Sequence, residues 1–337
     1  MPSLWESLAD LRVQIDDYSL ERRELAVSDS FTRVTTTVVL QGDEATGHGE
    51  DVTYTAEDHD DFPEHEMLAG TWTLREYCRR VEELDLWPGG EPQMSASTDY
   101  RRWAFESAAL DLALRQAGRS FAEALGRPYR PVRFVASTRA QIDPYVALDP
   151  ELEFKLDVDR DWDRALMERL AATDRVRVLD LKAYYRGTSV DLAPDPELYR
   201  AVAESFPGVV IEDPWLEDGC LEALAGAEDR FSFDAPIHAW SDVGDLPVEP
   251  RWLNIKPSRF GSIETLLDCI ERCAASGIAM YGGGQFELGP GRRQIQRLAS
   301  VFYADGPNDV APSEYNEGPA REGLPRSPLP PPDGDGF

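Results

Sequence analysis

Lysine is almost missing from this chain. Of its 34 basic side chains only Lys155, Lys182 and Lys256 are lysines, which leaves 31 arginines. Either residue supplies a surface cation, so a drift to arginine gives no reason to spare three positions. Arginine stays protonated in proteins, whereas a buried lysine can lose its proton and act as a base. The three survivors lie in short apolar runs (LEFKLDV, VRVLDLKAYY and WLNIKPS), which makes them candidates for proton transfer.

Other scarcities exclude whole classes of function. Cys78, Cys220, Cys269 and Cys273 have neither metal-ligand nor disulfide-scaffold spacing, so they are expected as buried, reduced thiols. No apolar run reaches the length of a membrane span, and no basic segment followed by an apolar one opens the chain. A cytoplasmic protein without a membrane partner is the expectation. Positive charge is also short, with 63 acidic residues and a net charge of −29, which argues against nucleic acid and anionic lipid. Such acidity suits a highly soluble protein or one adapted to salt. Two of the four histidines, His59 and His65, fall in the acidic stretch EDHDDFPEHE. That stretch reads as a solvated loop, able to act as a lid, because no strand or helix would fix metal ligands there.

With 42% apolar residues over 337 positions, a large core is available, and the length suits two domains or a barrel with additions. Residues 10–55 alternate like antiparallel strands: Leu11 to Leu25, Phe31 to Leu40, and Gly49 to Thr55 after the turn-rich QGDEATGHG. Helical patterning follows from Leu74 to Leu125, with Ser97-Thr98 as an N-cap and Gly118 as a stop. Residues 1–130 therefore read as an α+β domain. From 131 to 316, apolar runs near Phe134, Phe154, Val178, Val210, Phe233, Asn254 and Ala279 alternate with helix-like segments. Seven such units, with a truncated eighth near Asp309–Tyr315, predict an α/β fold: a (β/α)7-8 TIM-type barrel carrying an N-terminal α+β capping domain. Residues 317–337 are rich in proline and glycine and read as an extended or disordered arm.

In a parallel barrel the active site lies where loops leave the C-terminal ends of the strands. Asp180, Glu212 and Asp234 fall at three consecutive strand ends, and converging carboxylates suit Mg²⁺. Lys155 and Lys256 flank that series. Residues two apart on a strand share a side, so Lys155 goes with Asp157, and Asp180 with Lys182. A lysine kept neutral beside a metal-bound carboxylate could take the α-proton.

The order of motifs resembles that of the enolase superfamily, nearest its muconate cycloisomerase and mandelate racemase branches. GHGED (Gly47–Asp51) resembles the family's glycine-rich turn, FESAALDLAL its cap helix, VIEDP (Val210–Pro214) and NIKPSRFG (Asn254–Gly261) its fourth and sixth strand ends, and GGGQFELGPG (Gly282–Gly291) its seventh. The resemblance implies Asp180, Glu212 and Asp234 as Mg²⁺ ligands and Lys256 as the acid/base; Lys155 and Lys182 are the further candidate catalytic amines, and Asp157, Glu287 and Gly283 the candidate substrate-binding positions. The implied enzyme is an isomerase or lyase that abstracts the α-proton of a small carboxylate substrate, with isomerisation, epimerisation or β-elimination as outcomes. A homo-oligomer remains open. Two departures stand out. Strand two reads Lys155-Leu156-Asp157, with an aspartate where the family places its second lysine, and strand three reads Asp180-Leu181-Lys182, with a lysine where the family places asparagine. An enolase-like barrel that has lost turnover and binds or regulates is the alternative they raise.

Overall fold

The computed structural model describes residues 3–29, 31–64, 68–186 and 192–337. His65 lies outside them. Five strands build the cap: β1 (Arg12–Ile15), β2 (Asp17–Ser28), β3 (Phe31–Gly42), β4 (Ala45–Asp51) and β5 (Gly70–Thr73). β2, β3 and β4 form an antiparallel meander, while β1 pairs with β5. Helix Ser97–Gln116 lies on β4, and most of its circumference is buried.

QGDEATGHG is not one long turn. The chain reverses at Asp43 and Glu44 alone, both with positive φ (47° and 61°), and Ala45–Asp51 is already strand β4. Its glycines serve the helix. A Cβ on Gly49 would sit 1.9 Å from the Ala104 carbonyl oxygen, and one on Gly47 2.3 Å from that of Ala108.

Seven parallel strands follow in chain order: β6 (Val135–Thr138), β7 (Glu153–Asp157), β8 (Val176–Asp180), β9 (Val210–Glu212), β10 (Phe231–Phe233), β11 (Trp252–Ile255) and β12 (Ala279–Gly282). Helices Arg164–Ala171, Pro196–Ser205 and Ile263–Ser276 separate some of them, and Gly291–Phe302 follows the last. The first three of these helices are capped by the side chains of Asp163, Asp195 and Ser262. Register places Asp157, Asp180 and Glu212 in one row across β7, β8 and β9.

The expected eighth strand is not a strand. Residues 313–315 form a 3₁₀ turn, and Asn308 and Asp309 instead bond to both edges of the sheet. Asn308 bridges Phe134 beside β6 and accepts the Gly282 N–H at 2.7 Å, and the Asp309 N–H donates to the Gly282 carbonyl at 2.8 Å. The proline-rich tail is extended and packed. Leu329 exchanges backbone bonds with Val132, and Phe337 stacks against Phe121 with ring centroids 4.7 Å apart.

The cap grips the loop after β12 at two points. Arg33, fully buried, donates to the carbonyls of Val52, Thr53, Gln285 and Phe286 at 2.6–3.1 Å. Glu50 accepts the N–H groups of Leu288, Gly289 and Gly291 at 2.7–2.9 Å, closing the start of helix Gly291–Phe302. The acidic stretch is held too. Buried His59 bonds Thr36 Oγ1 and the Thr53 carbonyl, each at 2.9 Å, and Arg101, paired with Asp51, donates to the carbonyls of Asp58 and Asp61. Glu57, Asp60 and Asp61 are exposed, as expected of a solvated stretch, but these bonds fix it in place, so a lid is the wrong description. All four cysteines are buried and free, and among the described residues no helix is long and apolar enough to cross a membrane.

Candidate active site

Parallel pairing brings the ends of β7 to β12 to one side of the sheet, and the polar side chains cluster there. Lys155, 2% exposed, points from β7 to Glu212 Oε1 at 2.5 Å, with Asp180 Oδ2 at 3.5 Å and Asp309 Oδ2 at 3.6 Å. Burial works against its charge, but the three carboxylates outweigh it and hold the ammonium well above its ordinary pKa.

Lys182 lies two residues beyond β8 in a left-handed conformation (φ 49°). Its Nζ meets Asp180 Oδ2 at 2.6 Å and Asp157 Oδ1 at 3.0 Å. Burial opposes this charge too, and the same two acids overcome it and raise the pKa. Neither Lys155 nor Lys182 is the neutral amine expected from the sequence, because each has carboxylate partners that the strand pattern alone did not reveal.

Lys256 follows β11 directly and donates to Asp234 Oδ2 at 2.6 Å. Arg259, one turn on, takes Asp234 Oδ1 at 3.0 Å and the Tyr185 hydroxyl at 2.8 Å. Despite complete burial, the paired cations keep the Asp234 carboxyl well below its usual range.

The structure brings Asp180 and Glu212 together, with a third partner the sequence reading did not name. Asp180, Glu212 and Asp213 each offer an oxygen within 4.8 Å of the others, and all three are buried. Asp234 stands outside that group, its oxygens engaged by Lys256 and Arg259. Asp213 reaches toward it by accepting the N–H groups of Asp234 and Ala235 at 2.8 and 3.1 Å. Glu212 also accepts from Asn254 Nδ2 at 3.2 Å and from the Tyr281 hydroxyl.

Of the expected substrate positions, Asp157 is bound to Lys182. Gly283 is required by close approach, since a Cβ there would strike Asn254 Oδ1 at 2.5 Å and Lys256 Cε at 2.9 Å. Glu287 turns to Arg292 (3.2 Å) and to the Gln285 N–H (2.6 Å), and among the described residues it bonds none of the three lysines.

The donor set fits a hard divalent cation. Six carboxylates (Asp157, Asp180, Glu212, Asp213, Asp234 and Asp309) face four cations (Lys155, Lys182, Lys256 and Arg259), a formal surplus of two negative charges. Two acids register that surplus. Burial pushes Glu212 up to about 7, and burial with the neighbouring Asp234, Asp180 and Glu212 carries Asp213 well above its ordinary value. Asp180, opposed by burial but flanked by Lys182 and Lys155, is lowered to about 2. One divalent ion would balance the excess, and all-oxygen ligands suit a hard cation.

Family models describe both halves of the chain. Residues 128–317 match the "Domain of unknown function (DUF8230) C-terminal domain" and residues 6–124 its N-terminal domain. The chain belongs to the DUF8230 family. This DUF8230 protein is 30% identical over 232 residues to an N-succinylamino acid racemase from Amycolatopsis sp., a match covering 63% of the chain and 60% of that relative. Among solved structures it resembles muconate cycloisomerase from Pseudomonas fluorescens (TM-score 0.65, 17% identity, 89% of this chain and 87% of that one). It also resembles muconate lactonizing enzyme from Pseudomonas putida (TM-score 0.65, 16% identity, 88% of each chain). A Listeria innocua member of the enolase superfamily superposes with a TM-score of 0.62 at 17% identity, covering 90% of this chain and 86% of that one. The fold seen here is shared with these three structures.

Proposed function

We propose that this protein is a Mg²⁺-dependent enzyme that removes the α-proton of a carboxylate substrate, leading to isomerisation, epimerisation or β-elimination. The reading rests most heavily on one observation, the buried carboxylates of Asp180 and Glu212 converging beside the Lys256–Asp234 pair. Asp180, Glu212 and Asp234 would hold the ion, and Asp213, through the backbone of Asp234 and Ala235, is a positioning residue for the third of them. When bound, Mg²⁺ supplies charge neutralisation to a substrate carboxylate, which makes the adjacent C–H more acidic. Bonds from Asn308 and Asp309 to both sheet edges support reading the seven strands as a closed barrel, with these groups at its mouth.

The chain's own residues do the rest. Lys256 Nζ leaves Asp234, gives one ammonium proton to solvent and, as the neutral amine, accepts the α-proton. Lys155, charged between Glu212 and Asp180, offers an ammonium to the substrate's oxygen atoms. Lys182, locked by Asp157 and Asp180, lends positive charge on the strand-three side. Gly283 lets the loop after β12 lie directly against Lys256 and Asn254, and Asp157 and Glu287 are the acids assigned to substrate binding. The N-succinylamino acid racemase relative supports an N-acylated amino acid as the first substrate class to assay.

The test is exchange of the α-proton with deuterated solvent, followed by NMR across a carboxylate panel with Mg²⁺ present. The wild type exchanges one substrate's proton and Lys256→Ala does not. Undiminished exchange in the variant would remove Lys256 from its role. One feature favours a second reading, a barrel that binds without turnover: all three lysines are engaged by carboxylates. Calorimetric binding of a panel member without exchange would support it.

A further inference from the structure

A cavity of about 510 Å³ opens between the cap and helix Gly291–Phe302, and none of the lysines or clustered carboxylates described above lines it. Its walls come from β2, β3 and β4, from the loop before the helix and its first turns, and from parts of the tail. Arg23, His48, Arg292 and Arg293 face it against only two acids, Glu21 and Glu314. Arg292 is also paired with Glu287 at 3.2 Å, so the wall is close to neutral in a chain of net charge −29.

Two of the donors in the wall have no protein partner among the described residues. Thr37 is fully buried with its Oγ1 unpaired, and Arg292 is 8% exposed with its Nε unpaired. A buried donor gains from an acceptor, and an anionic ligand entering this wall would supply one to each. Gly289 completes the cradle. A Cβ there would lie 3.0 Å from Arg23 Nε and 3.2 Å from Thr37 Oγ1, so a larger residue would crowd both donors. The helix start is not the source of attraction, since Glu50 already takes its N–H groups. The arginines are. Arg293 makes no ion pair among the described residues, and Arg23 is paired only with exposed Glu21, at 3.3 Å.

We propose that this cavity is a second binding site, for the carboxylate or phosphate group of a small soluble ligand, held by Arg23, Arg292, Arg293 and Thr37. Planar guanidinium forks match the oxygens of both groups. A ligand there joins β2 and β3 to the segment after β12, whose other end carries Gly283 against Lys256. Occupancy would therefore fasten the cap to the loop that borders the catalytic lysine.

Isothermal titration of the full chain with inorganic phosphate and, separately, with succinate tests this, at fixed ionic strength made up with potassium chloride. At least one anion binds saturably at one per chain. The double variant Arg23→Gln/Arg293→Gln, altered only at exposed side chains, keeps its melting temperature without ligand and binds that anion about tenfold or more weakly, as loss of charge-assisted bonds requires. Arg292→Gln weakens it further, and if that variant fails to fold the double variant still decides. Binding of phosphate alone assigns a phosphorylated ligand, and binding of succinate alone a carboxylate one. No saturable binding of either anion, or equal affinity in the double variant, overturns the proposal.

Discussion

The Lys155 ammonium lies 2.5 Å from Glu212 Oε1, on the strand next but one, and both residues are all but excluded from solvent. A contact this short between buried charges stabilises the fold only while both partners remain.

Lys155→Met leaves Glu212, Asp180 and Asp309 without their shared cation. Removing one member of a buried pair costs about 3–5 kcal/mol, so the Mg²⁺-free variant should unfold at markedly lower urea concentration than the wild type. Added Mg²⁺ should recover a larger share of stability in the variant than in the wild type. Equal midpoints without the ion would mean that the pair contributes nothing.

Glu212 makes the metal-free protein sensitive to pH near neutrality. Its carboxyl is raised from 4.5 to about 7 in the folded chain. Between those values the folded state keeps a proton that the unfolded state has released, so stability falls as pH rises through that window and levels off above it. Asp180, lowered to about 2, works in the opposite sense: its stabilisation is present above its ordinary value of 3.8 and is lost as pH falls toward 2. A cation must displace the Glu212 proton, so the rise in melting temperature on adding Mg²⁺ should grow from pH 5.5 to pH 8. In Glu212→Gln that growth should vanish. A pH-independent Mg²⁺ effect in the wild type would count against Glu212 as a ligand.

Asp213→Ala strips the acceptor from the buried N–H group of Asp234 and the half-buried one of Ala235. Each orphaned donor costs about 1–3 kcal/mol. Since Asp213 acts through Asp234, the variant should also bind Mg²⁺ more weakly, whereas Asp213→Asn, which keeps one acceptor, should recover part of the affinity. Unchanged affinity in both would leave Asp213 as scaffold only.

Gly49→Ala tests the packing of the cap. The added methyl would lie 1.9 Å from the Ala104 carbonyl and 2.5 Å from Ser107 Oγ, and both belong to a helix that cannot retreat without opening the cap core. A loss of about 3 kcal/mol, at the upper end of overpacking costs, is expected in urea unfolding.

The ladder of strands was legible because each βα unit repeats an apolar run with a polar end, and Lys155, Asp180, Glu212, Asp234 and Lys256 sit at or beside those ends. Their partners were harder to see. Asp213 is adjacent to Glu212, yet only its positive φ (49°) turns the carboxylate toward Asp180. Arg259 carried a signal, one helical turn after Lys256, whereas Tyr281 and Asp309 arrive from other strands or loops and no spacing announces them. Gly47 and Gly49 were misread because a glycine that permits a turn and a glycine that admits a helix are the same letter. The acidic stretch was misread as a lid because Arg101, which binds its carbonyls, lies some 40 residues away in sequence.

The central claim is that the buried acids hold one divalent ion, and titration of Mg²⁺ into chelator-treated protein tests it most directly. One ion should bind per chain at pH 8, and binding should be lost in Asp180→Asn and in Glu212→Gln while both variants remain folded. A wild type that takes up no Mg²⁺, or variants that bind it as the wild type does, would contradict the account.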